Sequence, residues 1–179
     1  MSHGKQFEKD MLKSVRANGA WAERFRDNTW ASMQGSNQSP PDMIVINDGR
    51  PSLMELKAVT CGHDGKGEPR PLIKGSISVK RCEGHQLERL LDFEENHGGQ
   101  SFVVVMFYTL RAVRRCAVII PVRYWVASPD HYGRGTVRLS DLRRDLSPQH
   151  HLKWVGRKDE LGPYRNCTRL HEDPMKDVA

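Results

Sequence analysis

Two carboxylates thirteen positions apart, Asp42 and Glu55, with a lysine two residues beyond, Lys57, are enough to bring a divalent cation and a phosphate together. They lie in Pro41-Asp42-Met-Ile-Val-Ile-Asn-Asp48-Gly49-Arg-Pro-Ser-Leu-Met-Glu55-Leu56-Lys57. The pair Asp48-Gly49 suits a two-residue hairpin turn, in which both central residues take positive φ. With that turn Asn47 faces Arg50, and counting outward along both strands sets Asp42 opposite Glu55. Directly opposed side chains have Cβ atoms roughly 4.5–5.5 Å apart, and like charges there repel. A cation between them removes the repulsion. Lys57 shares the face of Glu55, because side chains alternate along a strand. Oxygen ligands suit hard cations such as Mg²⁺ or Mn²⁺, with the Leu56 carbonyl a possible further ligand. Such an ion polarises a phosphoryl oxygen and acidifies a bound water, and Lys57 would orient that water or stabilise transition-state charge. The bland alternative is a loop-capping Asp42 beside a surface Glu55–Lys57 ion pair.

The elements around this motif are legible from periodicity. Phe7, Met11, Leu12 and Val15 recur at helical spacing, so residues 4–18 read as a helix stopped by Asn18-Gly19. Residues 20–26 alternate like a strand, and residues 31–41 read as a loop leading into the hairpin. Ile44, Ile46 and Leu53 share the face of Asp42 and Glu55, while Met43, Val45, Met54 and Leu56 take the other. Strands apolar on both faces are expected to be covered on both. Residues 61–76 read as a mobile surface loop. Residues 84–97 form a second helix ending at Gly98-Gly99, with Gln86 in its first turn, where free N–H groups favour a phosphate. Ser101 to Tyr108 and Cys116 to Pro121 read as strands joined by a basic connection, Thr109 to Arg115. Short helices are expected over 122–128 and 138–146, the latter with Ser140 as N-cap. From Ser147 onward the sequence reads as polar and irregular, its last ten or so residues poorly ordered.

The 179 residues suit a core domain over 1–128 and a C-terminal extension over 129–179, packed on or trailing from the core. No run is long and apolar enough to span a bilayer, and the first residues show no secretory pattern. The four cysteines lack CxxC spacing. The expectation is a reduced, cytoplasmic chain, of a cell or of a virus-infected host. A net charge of +6 and a pI near 9.3 fit a polyanionic partner. Lys80, Arg81, Arg111, Arg114 and Arg115 are candidate contacts to a nucleic-acid backbone, or solvated cations. Glu8 lies one position along from the apolar stripe of the first helix, where it leans toward the sheet edge or is an ordinary exposed acid.

The order helix with Glu8, strand, Pro41-Asp42, Glu55-Leu56-Lys57, helix, strand resembles the PD-(D/E)xK nuclease superfamily. Within it, the chain most resembles the RecU-type and archaeal Hjc-type Holliday junction resolvases. The matching segments are Gly4-Lys5-Gln6-Phe7-Glu8, Asp42 with Glu55-Leu56-Lys57, Ser76 through His85-Gln86-Leu87, and Ser101 to Tyr108. The resemblance covers about residues 4–127. It implies an α/β, restriction-endonuclease-like core, with a mixed central sheet flanked by helices in the order αβββαββ. It implies a homodimer that nicks four-way DNA junctions symmetrically, using Mg²⁺. Asp42, Glu55 and Leu56 would hold the metal, Glu8 would assist, Lys57 would be catalytic, and Gln86 would support the site or the DNA backbone. The chain departs from RecU-type proteins in having only the short Thr29 to Pro40 loop in place of a long stalk.

Three other readings stay open. Another nuclease of the superfamily would keep the same catalytic residues on a different DNA substrate. A DNA-binding module of the same fold would not need clustered acids. Cys61-x-His63 with Cys82-x-x-His85 would be a weak zinc pattern, with buried or loop cysteines the plainer account, and His150-His151 reads as polar loop.

Overall fold

A computed structural model describes residues 2–25, 40–62, 71–109, 115–156, 159–160, 162–165 and 167. Helix α1, His3–Ala17, starts where the Ser2 hydroxyl accepts the Lys5 amide (3.3 Å). It stops at Asn18, followed by Gly19 at φ +90°. Its apolar stripe puts Phe7, Met11 and Val15 at 0% exposure against the sheet. Each such burial contributes roughly 1.5–3 kcal/mol.

Strand β1 (Trp21–Arg24) pairs antiparallel with β2 (Met43–Asn47), and β2 with β3 (Arg50–Thr60). The β2–β3 turn is the expected one, with Asp48 at φ +48° and Gly49 at φ +74°. Asn47 faces Arg50 and Met43 faces Met54, so the register next outward sets Asp42 against Glu55. Strand β4 (Ser76–Ser78) and helix α2 (Gly84–His97) then lead to β5 (Gln100–Tyr108), which runs parallel to β3. Strand β6 (Arg115–Pro121), helix α3 (Val122–Tyr132), strand β7 (Thr136–Arg138), helix α4 (Leu139–Asp145), β8 (His151–Trp154) and β9 (Tyr164–Arg165) complete the order. The main sheet runs β1-β2-β3-β5-β6-β8-β9, and β4 pairs with β7 in a separate two-stranded ribbon.

The fold is mixed α/β, and both faces of the sheet are covered. On one face α1 packs on Met43, Val45, Met54, Leu56, Val104 and Ile119. On the other, Leu53, Val103, Val105, Ile120 and Trp125 pack with Leu90 of α2 and Leu139 and Leu142 of α4. The alternation read from the β2–β3 sequence holds, except that Ile46, next to the turn, is 37% exposed rather than covered.

Four expectations change. The stretch after Ser147 is not wholly irregular: β8 pairs with β6 through Ala117↔Leu152, and β9 with β8. Its strands are too short to show a period of their own and owe their existence to an adjacent edge. His150 is accordingly buried, with Nδ1 3.0 Å from the Ile119 carbonyl, rather than in a polar loop. Ser140 does not cap α4; Arg138 holds that position, its amide donating to Asp141 Oδ2 (3.1 Å). Within 61–76, Leu72–Lys74 form a 3-10 turn and Ser76–Ser78 a strand, so β4 intervenes in the expected αβββαββ order. Residues 63–70, most of 31–41, and the last ten lie outside the described residues, as do 110–114 of the basic connection.

The described part of 129–167 contributes to both faces of the core. Tyr164 and Cys167 join the α1 side and Val137, Leu139 and Leu142 the other. The Tyr164 amide donates to Ser14 Oγ (2.9 Å), and Gly162, at φ +84°, lies so close to α1 that a Cβ would be 2.5 Å from Ser14 Cα. Gly162→Ala combines a disfavoured φ with a backbone clash. It is expected to destabilise by about 1–3 kcal/mol, read as a lower urea midpoint at unchanged m-value.

Candidate active site

The hairpin turn sets the register, and the register brings the acids together. Asp42 sits just before β2, on the face shared with Glu55. Its Oδ2 accepts the Leu56 amide at 2.7 Å, an ionic hydrogen bond worth about 1.5–3 kcal/mol that fixes the carboxylate at the start of the strand. Glu55 is 1% exposed at the middle of β3, beside β5. Its Oε1 accepts from Lys57 Nζ (2.7 Å) and from Gln86 Nε2 (2.8 Å). Its Oε2 is buried and reached by no donor.

Burial and the neighbouring Asp42 charge push Glu55 up to about 7. Burial and the Asp42 charge thus both favour the protonated form of Glu55. For Lys57, burial works against the charge, but Glu55's charge and hydrogen bond outweigh it, and the net shift is upward. Lys57 is thus an ammonium at neutral pH. It can donate and attract but not abstract a proton.

Gln86 ties the site to α2. Its Oε1 accepts from Lys57 Nζ (3.2 Å) and the Glu83 amide (3.0 Å), while its amide nitrogen donates to Glu55. Only one orientation of the amide satisfies all three contacts. The expectation that its backbone N–H is free for a phosphate changes, because Gln86 N donates to the Glu83 carbonyl (3.0 Å) and Glu83 caps the helix. Gln86 therefore acts through its side chain, holding Lys57 and Glu55 in place. Gln86→Leu is expected to lower kcat roughly 10–100-fold with little change in KM, the pattern of lost positioning rather than lost binding.

The other candidates are placed differently. Glu8 pairs with Arg24 of β1, which faces Met43, the residue after Asp42. Arg24 and Met43 lie on the α1 side of the sheet, so Glu8 stands behind the carboxylate pair and is linked to it through Arg24 rather than joined to it. Arg115 does not offer a free cation to a nucleic-acid backbone. Its side chain is 9% exposed, lies 3.8 Å from Asp10 and stacks over Trp154 at 4.8 Å. Lys80 and Arg81 are exposed, and Arg81 Nη2 donates to the Ala58 carbonyl (3.3 Å), one residue past Lys57. Arg111, Arg114 and His63 lie outside the described residues.

Sequence reasoning missed Arg24, and it read Cys82 as a buried or loop cysteine without placing it beside the acids. Arg24 is reached only through the β1–β2 register, which a long connection hides. Cys82 is buried within electrostatic range of Lys57, Glu55 and Asp42, and burial pushes its thiol up to about 12. Cys61 is buried too, and His85 lies 3.4 Å from Glu83.

The donor set fits a hard cation. Glu55 Oε2 is an acidic oxygen with no donor, and Asp42 carries a second carboxylate beside it. Among the described residues no group of three His, Cys, Asp or Glu could hold a metal ion. A cation here would rest on two carboxylates and a backbone oxygen. None of the described helices is long and apolar enough to cross a membrane.

No protein-family model matches the chain, and no curated protein does. Among solved structures the chain is similar to Hjc, a Holliday junction resolvase from the archaeal hyperthermophile Archaeoglobus fulgidus. The identity is 20%, over 66% of this chain and 75% of that chain, with a TM-score of 0.41. At that TM-score the likeness adds nothing to the case, which stands on the residues themselves.

Proposed function

We propose that this chain is a divalent-metal-dependent DNA endonuclease of the PD-(D/E)xK type, acting as a homodimer that nicks four-way junctions. The observation that carries the chemistry is the buried, donorless Glu55 Oε2 held beside Asp42, with the Lys57 ammonium on its other oxygen. Asp42, Glu55 and the Leu56 carbonyl would hold Mg²⁺, for which Mn²⁺ could substitute. When bound, that ion supplies Lewis acidity toward a phosphoryl oxygen and lowers the pKa of a coordinated water.

The chain's own residues do the rest. The Leu56 amide orients Asp42, and Lys57 with Gln86 orients Glu55. Lys57 places a fixed positive charge where the pentacoordinate phosphorus gathers negative charge, at no reorganisation cost. Glu8, through Arg24, steadies the strand that presents Asp42. The acids argue against a non-catalytic DNA-binding module, because a polyanion is held by cations and repelled by a carboxylate pair.

The junction substrate and the dimer come from the family resemblance in sequence, since two opposed nicks call for two sites related by a two-fold axis. The test is cleavage of a labelled mobile four-way junction beside linear duplex, single strands and a splayed fork, with Mg²⁺ and with EDTA. Paired symmetric nicks confined to the junction support resolution. Equal cutting of linear duplex assigns the same chemistry to a restriction-like or repair endonuclease, and digestion from ends to an exonuclease. Inertness toward every DNA with Mg²⁺ or Mn²⁺ sinks the nuclease reading.

A further inference from the structure

The β4–β7 ribbon is an element the sequence did not announce, and its two sides differ sharply. Ile77 and Val137 are each 1% exposed and face the core, while Ser76, Ser78, Thr136 and Arg138 alternate to the outward side. Lys74 precedes the ribbon, and Lys80 and Arg81 follow its first strand, all three exposed. Many cations elsewhere on the chain sit on acids: Arg24 on Glu8, Arg123 on Glu94, Arg134 on Asp141, Arg165 on Asp159. Lys74, Lys80 and Arg138 form no ion pair among the described residues. Asp141 Oδ2 accepts the Arg138 amide (3.1 Å) and pairs with Arg134, and Glu83 caps α2 and lies against His85.

The ribbon is fixed to the site. Arg81 bonds the Ala58 carbonyl beside Lys57, and the Val79 amide donates to the Gly135 carbonyl (3.1 Å). The Leu139 amide donates to the Gly75 carbonyl (2.9 Å). At Gly75 a Cβ would lie 2.7 Å from Phe107 Cδ1, so the base of the ribbon is seated directly on the core.

We infer that the outward side of the β4–β7 ribbon, through Lys74, Arg138 and the hydroxyls of Ser76 and Thr136, is a binding surface for a nucleic-acid phosphate backbone. It leads that backbone toward Lys57. Hydroxyls and cations are the groups that contact phosphates, the neighbouring Asp141 carboxylate being held by Arg134, and such contacts fix register without reading sequence. This inference rests on the nuclease reading and adds the surface that delivers the substrate.

The test is binding of a fluorescent four-way junction by the full chain in EDTA, across a salt series. Lys74→Gln/Arg138→Gln is expected to weaken binding at least ~10-fold and to flatten the plot of log K against log salt by ~1.8, about 0.9 per lost phosphate contact. Lys74→Arg/Arg138→Lys, which keeps both charges, retains the wild-type slope. Lys9→Gln/Lys153→Gln removes two exposed charges elsewhere and leaves the slope unchanged. The inference is overturned if the wild type cleaves and binds DNA while the Gln pair keeps its affinity and slope. A loss equal to that of the Lys9/Lys153 control also overturns it, since that would be bulk charge alone. A wild type that neither cleaves nor binds DNA overturns both this inference and the nuclease reading, whereas a cleaving, binding wild type with an unaffected Gln pair overturns this inference alone.

Discussion

Asp42→Asn is expected to cut the nicking rate by at least ~10³-fold while junction binding stays within about twofold. Asparagine keeps an oxygen that can accept the Leu56 amide, now held by Asp42 Oδ2 at 2.7 Å, so the start of β2 has no reason to move. What it removes is one of the two negative charges that would hold the proposed divalent cation. Its second effect has a separate readout. The Asp42 charge is among the causes that raise Glu55, so in the variant the Glu55 carboxyl titrates lower, detectable by NMR of the labelled side chain. Undiminished nicking by Asp42→Asn would end the assignment of the chemistry. An unmoved Glu55 would show instead that burial alone, not the paired charge, governs that group.

In EDTA, the Glu55 contribution to stability should fall as pH rises from about 5 to 8, by an amount on the order of 3 kcal/mol, read as wild type minus Glu55→Gln so that the buried His150 and His151 cancel. The sign follows from where the proton binds more tightly. Glu55 titrates near its model value of 4.5 when unfolded and at about 7 when folded. Between those values the folded protein holds a proton that the unfolded chain has released, so each step upward in pH favours unfolding. Below about 4.5 the group is protonated in both states and its contribution is complete. Above about 7 it is lost. Mg²⁺ should reverse the loss at pH 8, because a cation binds the ionised folded form. Urea midpoints of wild type and Glu55→Gln at three pH values, with and without Mg²⁺, check both statements, and a metal-free difference of opposite slope would refute the assigned environment.

The parts of the fold that read well from sequence are those whose cause is local. Asp48-Gly49 states its own turn, and with the turn come the register, the two-faced alternation and the meeting of Asp42 with Glu55. The α1 and α2 spans follow from apolar spacing and from the glycines that end them. Whatever depends on distant partners did not show. β8 and β9 are short edge strands with no rhythm, and β4 pairs with β7 only because Ile77 and Val137 find the same core. In the site, Glu55 and Lys57 were legible as types and spacing, but Gln86's threefold bonding, Arg24's grip on Glu8 and Cys82's proximity required the tertiary fold. Arg115 shows the same limit from the other side, since a cation in a basic stretch proved to belong to Asp10 and Trp154.

The seating of Tyr164 and Gly162 on Ser14 sets an order of events during synthesis. Ser14 leaves the ribosome before its partner at Tyr164, which lies 150 residues behind it. The Asp42–Glu55 hairpin and the parallel β3–β5 pair can form while the chain is still growing, but the layer that clamps α1 onto them closes only after Tyr164 has emerged. Contacts of such long sequence separation are slow to form. A nascent chain therefore carries its two carboxylates on an unfinished sheet, and full rigidity of the site should arrive only once the segment around Tyr164 has joined α1.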